Sequence, residues 1–159
     1  MTGLLDLKTV QGTLEGLAIA EQVSSNRIMI RTIPDRIPRL LLIVKNILRC
    51  DHLIQISAVD NGQTFELFYN MTGPHRTVLT LSIELPRDRP EAPDTSEILP
   101  AAEIYERQIR DLMGIEFKGS IDRKRIILNE DWPAGEYPLR KDWKPQPGTF
   151  YGGYCQEKT

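Results

Sequence analysis

Apolar residues along this chain recur with two different periods, and the change of period separates helices from strands. Ile37, Leu40, Leu41, Val44 and Leu48 follow at i, i+3, i+4, i+7 and i+11, one continuous stripe on a helix. Pro34 suits the opening turn of that helix, and Lys45 and Arg49 near its end favour the negative pole of the helix dipole. Between residues 77 and 85 the period falls to two. Leu79, Leu81, Ile83 and Leu85 face one way and Thr80, Ser82 and Glu84 the other, which predicts a strand with one covered and one wetter face.

The remaining elements follow from similar signals. Residues 4–19 read as a weak amphipathic helix through Val10, Leu14 and Leu17, with Gly12 and Gly16 against it. Strands are expected at 27–33, 53–59 and 64–70, the last with Phe65, Leu67 and Tyr69 on one face. Asp60-Asn61-Gly62 joins the last two, because Asn-Gly tolerates the positive φ values of a type I′ hairpin. Pro86, Pro90, Pro93 and Pro100 mark residues 86–100 as a linker, since proline removes backbone donors. A helix at 101–113 follows, and from residue 116 to 159 no period is sustained.

These elements predict an α+β fold: a small, mainly antiparallel sheet with helices packed on one face, plus a long extended C-terminal tail. Residues 1–115 are expected to form the α+β domain, with the Pro-rich linker 86–100 before the helix, and residues 116–159 an extended tail.

Composition narrows the function. A net charge of -2 and a pI near 5.7 lack the basic excess of a nucleic-acid binder. No apolar run approaches the roughly 18–20 residues that cross a bilayer, and Met1 to Asp6 lacks the basic start and apolar core of a signal peptide. A cytoplasmic chain with no direct membrane span is therefore expected, and if it works at a membrane, something else must hold it there. Cys50 and Cys155 lie far apart and outside any C-x-x-C pattern. His52 and His75 are too few for a three-histidine zinc site.

The helix at 101–113 carries an apolar stripe of Ala102, Tyr105, Ile109, Leu112 and Met113, and a line of Glu103, Arg107 and Asp111 four residues apart. Gly114 is placed to end it in the left-handed conformation, with Ile115 folding back on Ile109. By spacing alone, the charged line is a solvated face.

The residues that continue it are more specific. Glu106-Arg107-Gln108-Ile109-Arg110-Asp111-Leu112-Met113-Gly114-Ile115-Glu116-Phe117-Lys118-Gly119 resembles the E-R-E-x-x-D-hydrophobic-hydrophobic-G-I-x-F-x-G signature of the 30 kDa subunit family of respiratory complex I. Gly119-Ser120-Ile121-Asp122-Arg123-Lys124-Arg125-Ile126-Ile127-Leu128 is similar to that family's G-H-P-D-L-R-R-I-L-L block. Asp131-Trp132-Pro133-Ala134-Gly135-Glu136-Tyr137-Pro138-Leu139-Arg140-Lys141-Asp142-Trp143 is similar to its D-W-x-G-H-P-L-R-K-D-Y block. Gln108 replaces a glutamate, Ser120-Ile121 replaces His-Pro, and Tyr137 stands where the family has His. These departures are compatible with a divergent branch, such as an archaeal coenzyme-oxidising relative or a membrane-bound hydrogenase.

The resemblance implies a non-catalytic structural subunit of the peripheral arm of a complex I-like oxidoreductase. Such a subunit binds no cofactor itself. The resemblance also implies that partner subunits hold it at the cytoplasmic side of a membrane, and that residues 116–159 are a partner-binding tail. Iron–sulfur clusters and the quinone or nickel–iron site are expected in partners: the large hydrogenase-like (49 kDa-type) subunit and the adjacent small iron–sulfur subunit. The residues expected at that partner interface are Glu106, Arg107, Asp111, Arg125, Trp132, Arg140, Lys141, Asp142 and Trp143. Arg125, Arg140 and Lys141 are suited to fork onto a neighbour's carboxylates. Trp132, Trp143, Phe150, Tyr151 and Tyr154 are suited to anchor the tail on a partner surface.

Two other classes stay open at this level. Phe65, Phe68 and Tyr69 on a middle strand suit base stacking in a ferredoxin-like RNA-binding module, although the matching strand motif is absent. Glu103, Glu106 and Asp111 suit a stand-alone acid–base enzyme only if a pocket perturbs them.

Overall fold

The structure is a computed structural model and describes residues 3–120 and 124–145. Its centre is a five-stranded sheet in the order β1-β2-β5-β4-β3, made by β1 (Ile19–Ser24), β2 (Arg27–Thr32), β3 (His52–Asp60), β4 (Thr64–Thr72) and β5 (Val78–Pro86). Three of the four strand pairs are antiparallel, and β2 with β5 is parallel. That one parallel pair requires a crossover, and α2 (Ile37–Asn46) lies on it.

The alternation along β5 sets the core. Leu79, Leu81, Ile83 and Leu85 face inward beside Phe65, Leu67, Tyr69 and Met71 of β4 and Ile28 and Ile30 of β2, all essentially without exposure. α2 adds Ile37, Leu40, Leu41 and Val44, and α3 (Ala102–Met113) adds Ala102, Ile109 and Met113. Leu53 and Ile56 of β3 are three residues apart yet face the same side, because the register shifts at Ile54 between Leu53↔Met71 and Gln55↔Asn70. The α+β architecture with helices on one face is therefore the one the pattern predicts.

Four local expectations change. The helix read over 4–19 is only α1 (Leu7–Thr13): Asp6 caps it by accepting the Thr9 N–H at 3.2 Å, and Gly16, at φ 73°, turns the chain out. The residues after it form the edge strand β1, where only Ala20 is buried, so no alternation marks it. The hairpin after β3 forms, but only Gly62 has a positive φ (90°) and Asn61 does not, so the turn is not type I′; the Asp60 carboxylate instead accepts the Gly62 N–H at 2.7 Å. The expected wetter face of β5 is dry at its centre. Thr80 and Ser82 are buried, and donate their hydroxyls to Asn70 at 2.8 Å and Glu66 at 2.6 Å.

The linker at 86–100 also holds structure. β6 (Glu91–Pro93) pairs in parallel with β7 (Glu116–Lys118). Prolines lack donors, but their carbonyls still accept: Pro90 receives the Glu116 N–H at 2.9 Å. The start of the tail, residues 116–118, thus belongs to the fold rather than to an extended appendage.

The candidate interface around helix α3

The C-terminus of α3 leaves carbonyls that need donors, and a segment far along the chain supplies them. Gly114 takes φ 68° and donates its N–H to Arg110 at 2.9 Å. The Leu139 N–H reaches the Leu112 carbonyl at 3.1 Å, and Arg140 Nε reaches that of Met113 at 2.7 Å. The Arg140 guanidinium also lies over the rings of Tyr137, at 4.5 Å, and Phe65, at 5.1 Å. The Tyr137 ring packs directly on Gly114, where a Cβ would run into it.

Asp111 fixes a second stretch of the same arm. It is 8% exposed, and its Oδ2 accepts the backbone N–H groups of Ile126, Ile127 and Leu128 at 3.2, 2.9 and 2.8 Å. Arg125 pairs with its other oxygen at 3.7 Å and donates to the Trp132 carbonyl at 3.0 Å. One turn earlier on α3, Arg107 donates to the Lys124 carbonyl from Nε and Nη2 at 3.4 and 3.3 Å, and pairs with Glu103 at 3.9 Å.

The third attachment is at the end of β3. Asp60 is 4% exposed, and accepts from Gly62 N–H, from Arg87 and from the Lys141 N–H at 2.9 Å. Burial pushes its carboxyl up, but the bonds from Lys141, Arg87 and Gly62 outweigh that and hold it at about 2. Arg87 extends to Asp142 at 2.7 Å and lies 5.0 Å over the Phe65 ring. Within the arm, Trp132 and Trp143 sit 6.0 Å apart, half-buried, and both indole N–H groups donate to Glu136, one to its carbonyl and one to its carboxylate.

The expected interface residues therefore fall at the three attachments or elsewhere on the arm. Arg140 is at the first attachment, Arg107, Asp111 and Arg125 meet at the second, Lys141 and Asp142 are at the third, and Trp132 with Trp143 lie on the arm. Arg125 and Arg140 donate to the protein's own carbonyls, and Lys141 is tied in through its backbone N–H. Glu106 departs from the expectation altogether. It is 2% exposed on the inward face of α3 and accepts from Thr95. Asp60, Arg87, Thr95 and Glu136 went unmarked as site residues in the sequence; Asp60 was visible only as a turn residue.

Among exposed polar residues such as Lys124, Glu130, Asp131 and Lys144, the arm also leaves apolar side chains outward. Ile126, Ile127 and Leu139 are 38%, 53% and 57% exposed, and Ile104 on α3 is 57% exposed. Leu139 also lines a groove of about 360 Å³ with Ile56, Ala58, Tyr105, Ile109 and Leu112, between α3 and the free edge of β3. Among the described residues no group of three or more His, Cys, Asp or Glu is placed to hold a metal, and no helix is long and apolar enough to cross a membrane. Cys50 is buried, which pushes its thiol up to about 11, while Cys155, Phe150, Tyr151 and Tyr154 lie outside the described residues.

Comparison with known proteins agrees with the motif reading. Residues 30–149 match the family model described as respiratory-chain NADH dehydrogenase, 30 Kd subunit. The chain is 40% identical over 81 residues to the beta subunit of the membrane-bound hydrogenase of Pyrococcus furiosus, covering 51% of this chain and 46% of that one. It is 34% identical over 151 residues to a subunit of the F(420)H(2) dehydrogenase of Methanosarcina mazei, covering 90% and 95%. A chain in the structure of the membrane-bound sulfane sulfur reductase, an archaeal respiratory membrane complex, superposes with a TM-score of 0.76 at 28% identity, over 86% of this chain and 84% of that one. With three quarters of its length matched by one family model, the chain belongs to the family of the 30 kDa subunit of respiratory-chain NADH dehydrogenase.

Proposed function

We propose that the chain is a cofactor-free docking and assembly subunit in the peripheral arm of a complex I-like membrane-bound oxidoreductase. It seats on the large hydrogenase-like (49 kDa-type) subunit beside the small iron–sulfur subunit, on the cytoplasmic side of the membrane. Electron transfer from NADH or another reduced carrier to quinone or a quinone-like acceptor, and the coupled ion translocation, belong to those partners. So do the iron–sulfur clusters and the quinone or nickel–iron site.

The observation that carries this reading is the division of labour along the 124–145 arm. Part of its polar atoms is used inward, on Asp111, the end of α3 and Asp60, while Ile126 and Ile127 are exposed and Leu139 lines the groove between α3 and β3. A segment fixed in that way keeps little freedom to lose on association, so apolar contacts made by it convert to affinity with a small entropic cost. Relatives of the chain are subunits of membrane respiratory complexes, which supports an assembly role.

A second reading, the equivalent subunit of a membrane-bound hydrogenase or reductase, is favoured by the Pyrococcus relative and the sulfane sulfur reductase likeness. Extraction in mild detergent and identification of the co-purifying proteins tests both. A large hydrogenase-like partner is the expected result, and its cysteine content separates a nickel–iron enzyme from a quinone reductase. Recovery of the chain alone from intact membranes contradicts the docking role.

A further inference from the structure

The sheet order leaves β3 at a free edge, and the hairpin after it sets the phase of its backbone. Asn61 donates its N–H to the Thr64 carbonyl at 2.9 Å, and the pairs from Asp60↔Phe65 to Gln55↔Asn70 continue that register without a shift. In an antiparallel ladder the bonded pairs recur at every second residue. Val59, Ser57 and Gln55 therefore bond to β4, while the N–H and C=O groups of Ala58, Ile56 and Ile54 point away from the sheet. Ile54 agrees with this phase, because its carbonyl accepts the Tyr105 hydroxyl of α3 at 2.9 Å.

Ile56 and Ala58 have no such cap. Among the described residues, neither α3 nor the arm supplies a partner for their outward N–H and C=O groups. Ile56 is nevertheless only 5% exposed, so backbone groups that folding normally satisfies lie in the groove with little access to solvent. Both ends of this stretch are closed. Tyr105 holds Ile54, and the Lys141 N–H holds the Asp60 side chain at 2.9 Å. Across from the edge stand Tyr105, Ile109, Leu112 and Leu139, and the groove's lining includes no charged side chain.

We propose that this edge is completed by strand addition: an extended, uncharged segment of a partner subunit lies in the groove and pairs with Ile56 and Ala58. A residue bonded to Ile56 projects its side chain to the same face as Ile56, toward α3. An apolar side chain there, and another opposite Ala58, meet the apolar wall of the groove. A charged side chain at either place loses its water and finds no counter-ion, which selects against it. Bonds to two residues two positions apart span about three residues of the segment, which matches the stretch between the two closed ends. The proposal rests on the docking reading and deepens it, because backbone bonds on β3 then hold the partner beside the arm.

Amide hydrogen exchange, read residue by residue in the isolated full chain and in the native complex, tests it. On assembly the Ile56 and Ala58 amides are expected to gain at least about tenfold in protection, while Ser57 and Val59, bonded to β4, are protected in both states. Protection of Ile56 and Ala58 in the dilute isolated chain equal to that of Ser57 shows the edge covered by the chain itself. Protection that grows with the concentration of the isolated chain shows a second copy on it. Either result overturns the proposal. A complex that forms with the two amides unchanged overturns it as well but leaves the docking reading standing; recovery of no complex removes both. Ala58→Pro deletes an outward N–H that the fold does not use, so it is expected to weaken assembly at least about tenfold with the urea-unfolding midpoint unchanged. Equal assembly of A58P and wild type overturns the proposal, and if A58P does not fold, the exchange comparison decides.

Discussion

Arg140 Nε donates to the carbonyl of Met113 at 2.7 Å, so a residue of the arm closes the end of a helix that finished 27 positions earlier. The same guanidinium covers the buried ring of Phe65, near the start of β4 on the sheet's inner face. One side chain thereby joins the helix, the sheet and the arm. Arg140→Ala is expected to lower unfolding free energy by about 1.5–3 kcal/mol, the range for a charged hydrogen bond. Arg140→Lys is expected to recover only part of it, since an ammonium lacks the planar fork. Urea unfolding of the two variants checks both.

Gly114 is fixed by two independent demands. Its φ of 68° disfavours any side chain, and the Tyr137 ring occupies the space a Cβ would take. Gly114→Ala is expected to cost about 1–2 kcal/mol for the left-handed backbone alone, plus the displacement of Tyr137. In the G114A/Y137A pair the second part is already lost, so the double variant is expected to be more stable than the sum of the two singles predicts. Simple additivity in a double-mutant cycle contradicts the contact.

Asp111 gathers three N–H groups on one oxygen, an arrangement suited to a charged acceptor. Asp111→Asn keeps the size but removes the charge. Residues 124–128 are then expected to be cleaved at least about tenfold faster by a dilute protease, while exchange protection in β4 and β5 stays unchanged. Loss of protection across the sheet would show that Asp111 supports the whole fold rather than the arm.

The Asp60 carboxyl sits below its ordinary value of 3.8, at about 2, because its hydrogen bonds outweigh its burial. Its native state binds the proton less readily than the unfolded chain. The stabilisation is therefore present above pH 3.8 and lost as pH falls toward about 2. Asp60→Asn is expected to remove that acid-side slope from a urea-unfolding pH series; an identical slope in the variant contradicts the assignment.

How much of this was legible in the sequence differs by element. The stripe on α2, the alternation on β5 and the helix-ending Gly114 announce themselves, because each depends on near neighbours in the chain. β1 does not, since an edge strand with only Ala20 buried needs no apolar period. β6 and β7 do not either: three residues each, they exist only because they meet one another. The site shows the same divide. The motif blocks mark Arg107, Asp111, Arg125 and Arg140 as interface residues, but not their bonds inside the chain, because most of those go to backbone atoms, which leave no trace in side-chain patterns. Glu106 reads as an interface residue for a related reason. Its burial depends on the N–H and hydroxyl of Thr95, eleven residues away and across the Pro-rich stretch.

The docking account is tested most directly by a photo-reactive residue placed on the outward apolar positions of the native complex in its membrane. Leu139 and Ile127 are the reporters, and Ile19, 73% exposed on β1 at the opposite edge of the sheet, is the control. The account predicts cross-links from Leu139 and Ile127 to the large hydrogenase-like subunit and none to it from Ile19. Cross-links to that subunit from Ile19 alone, with none from the arm, would contradict it.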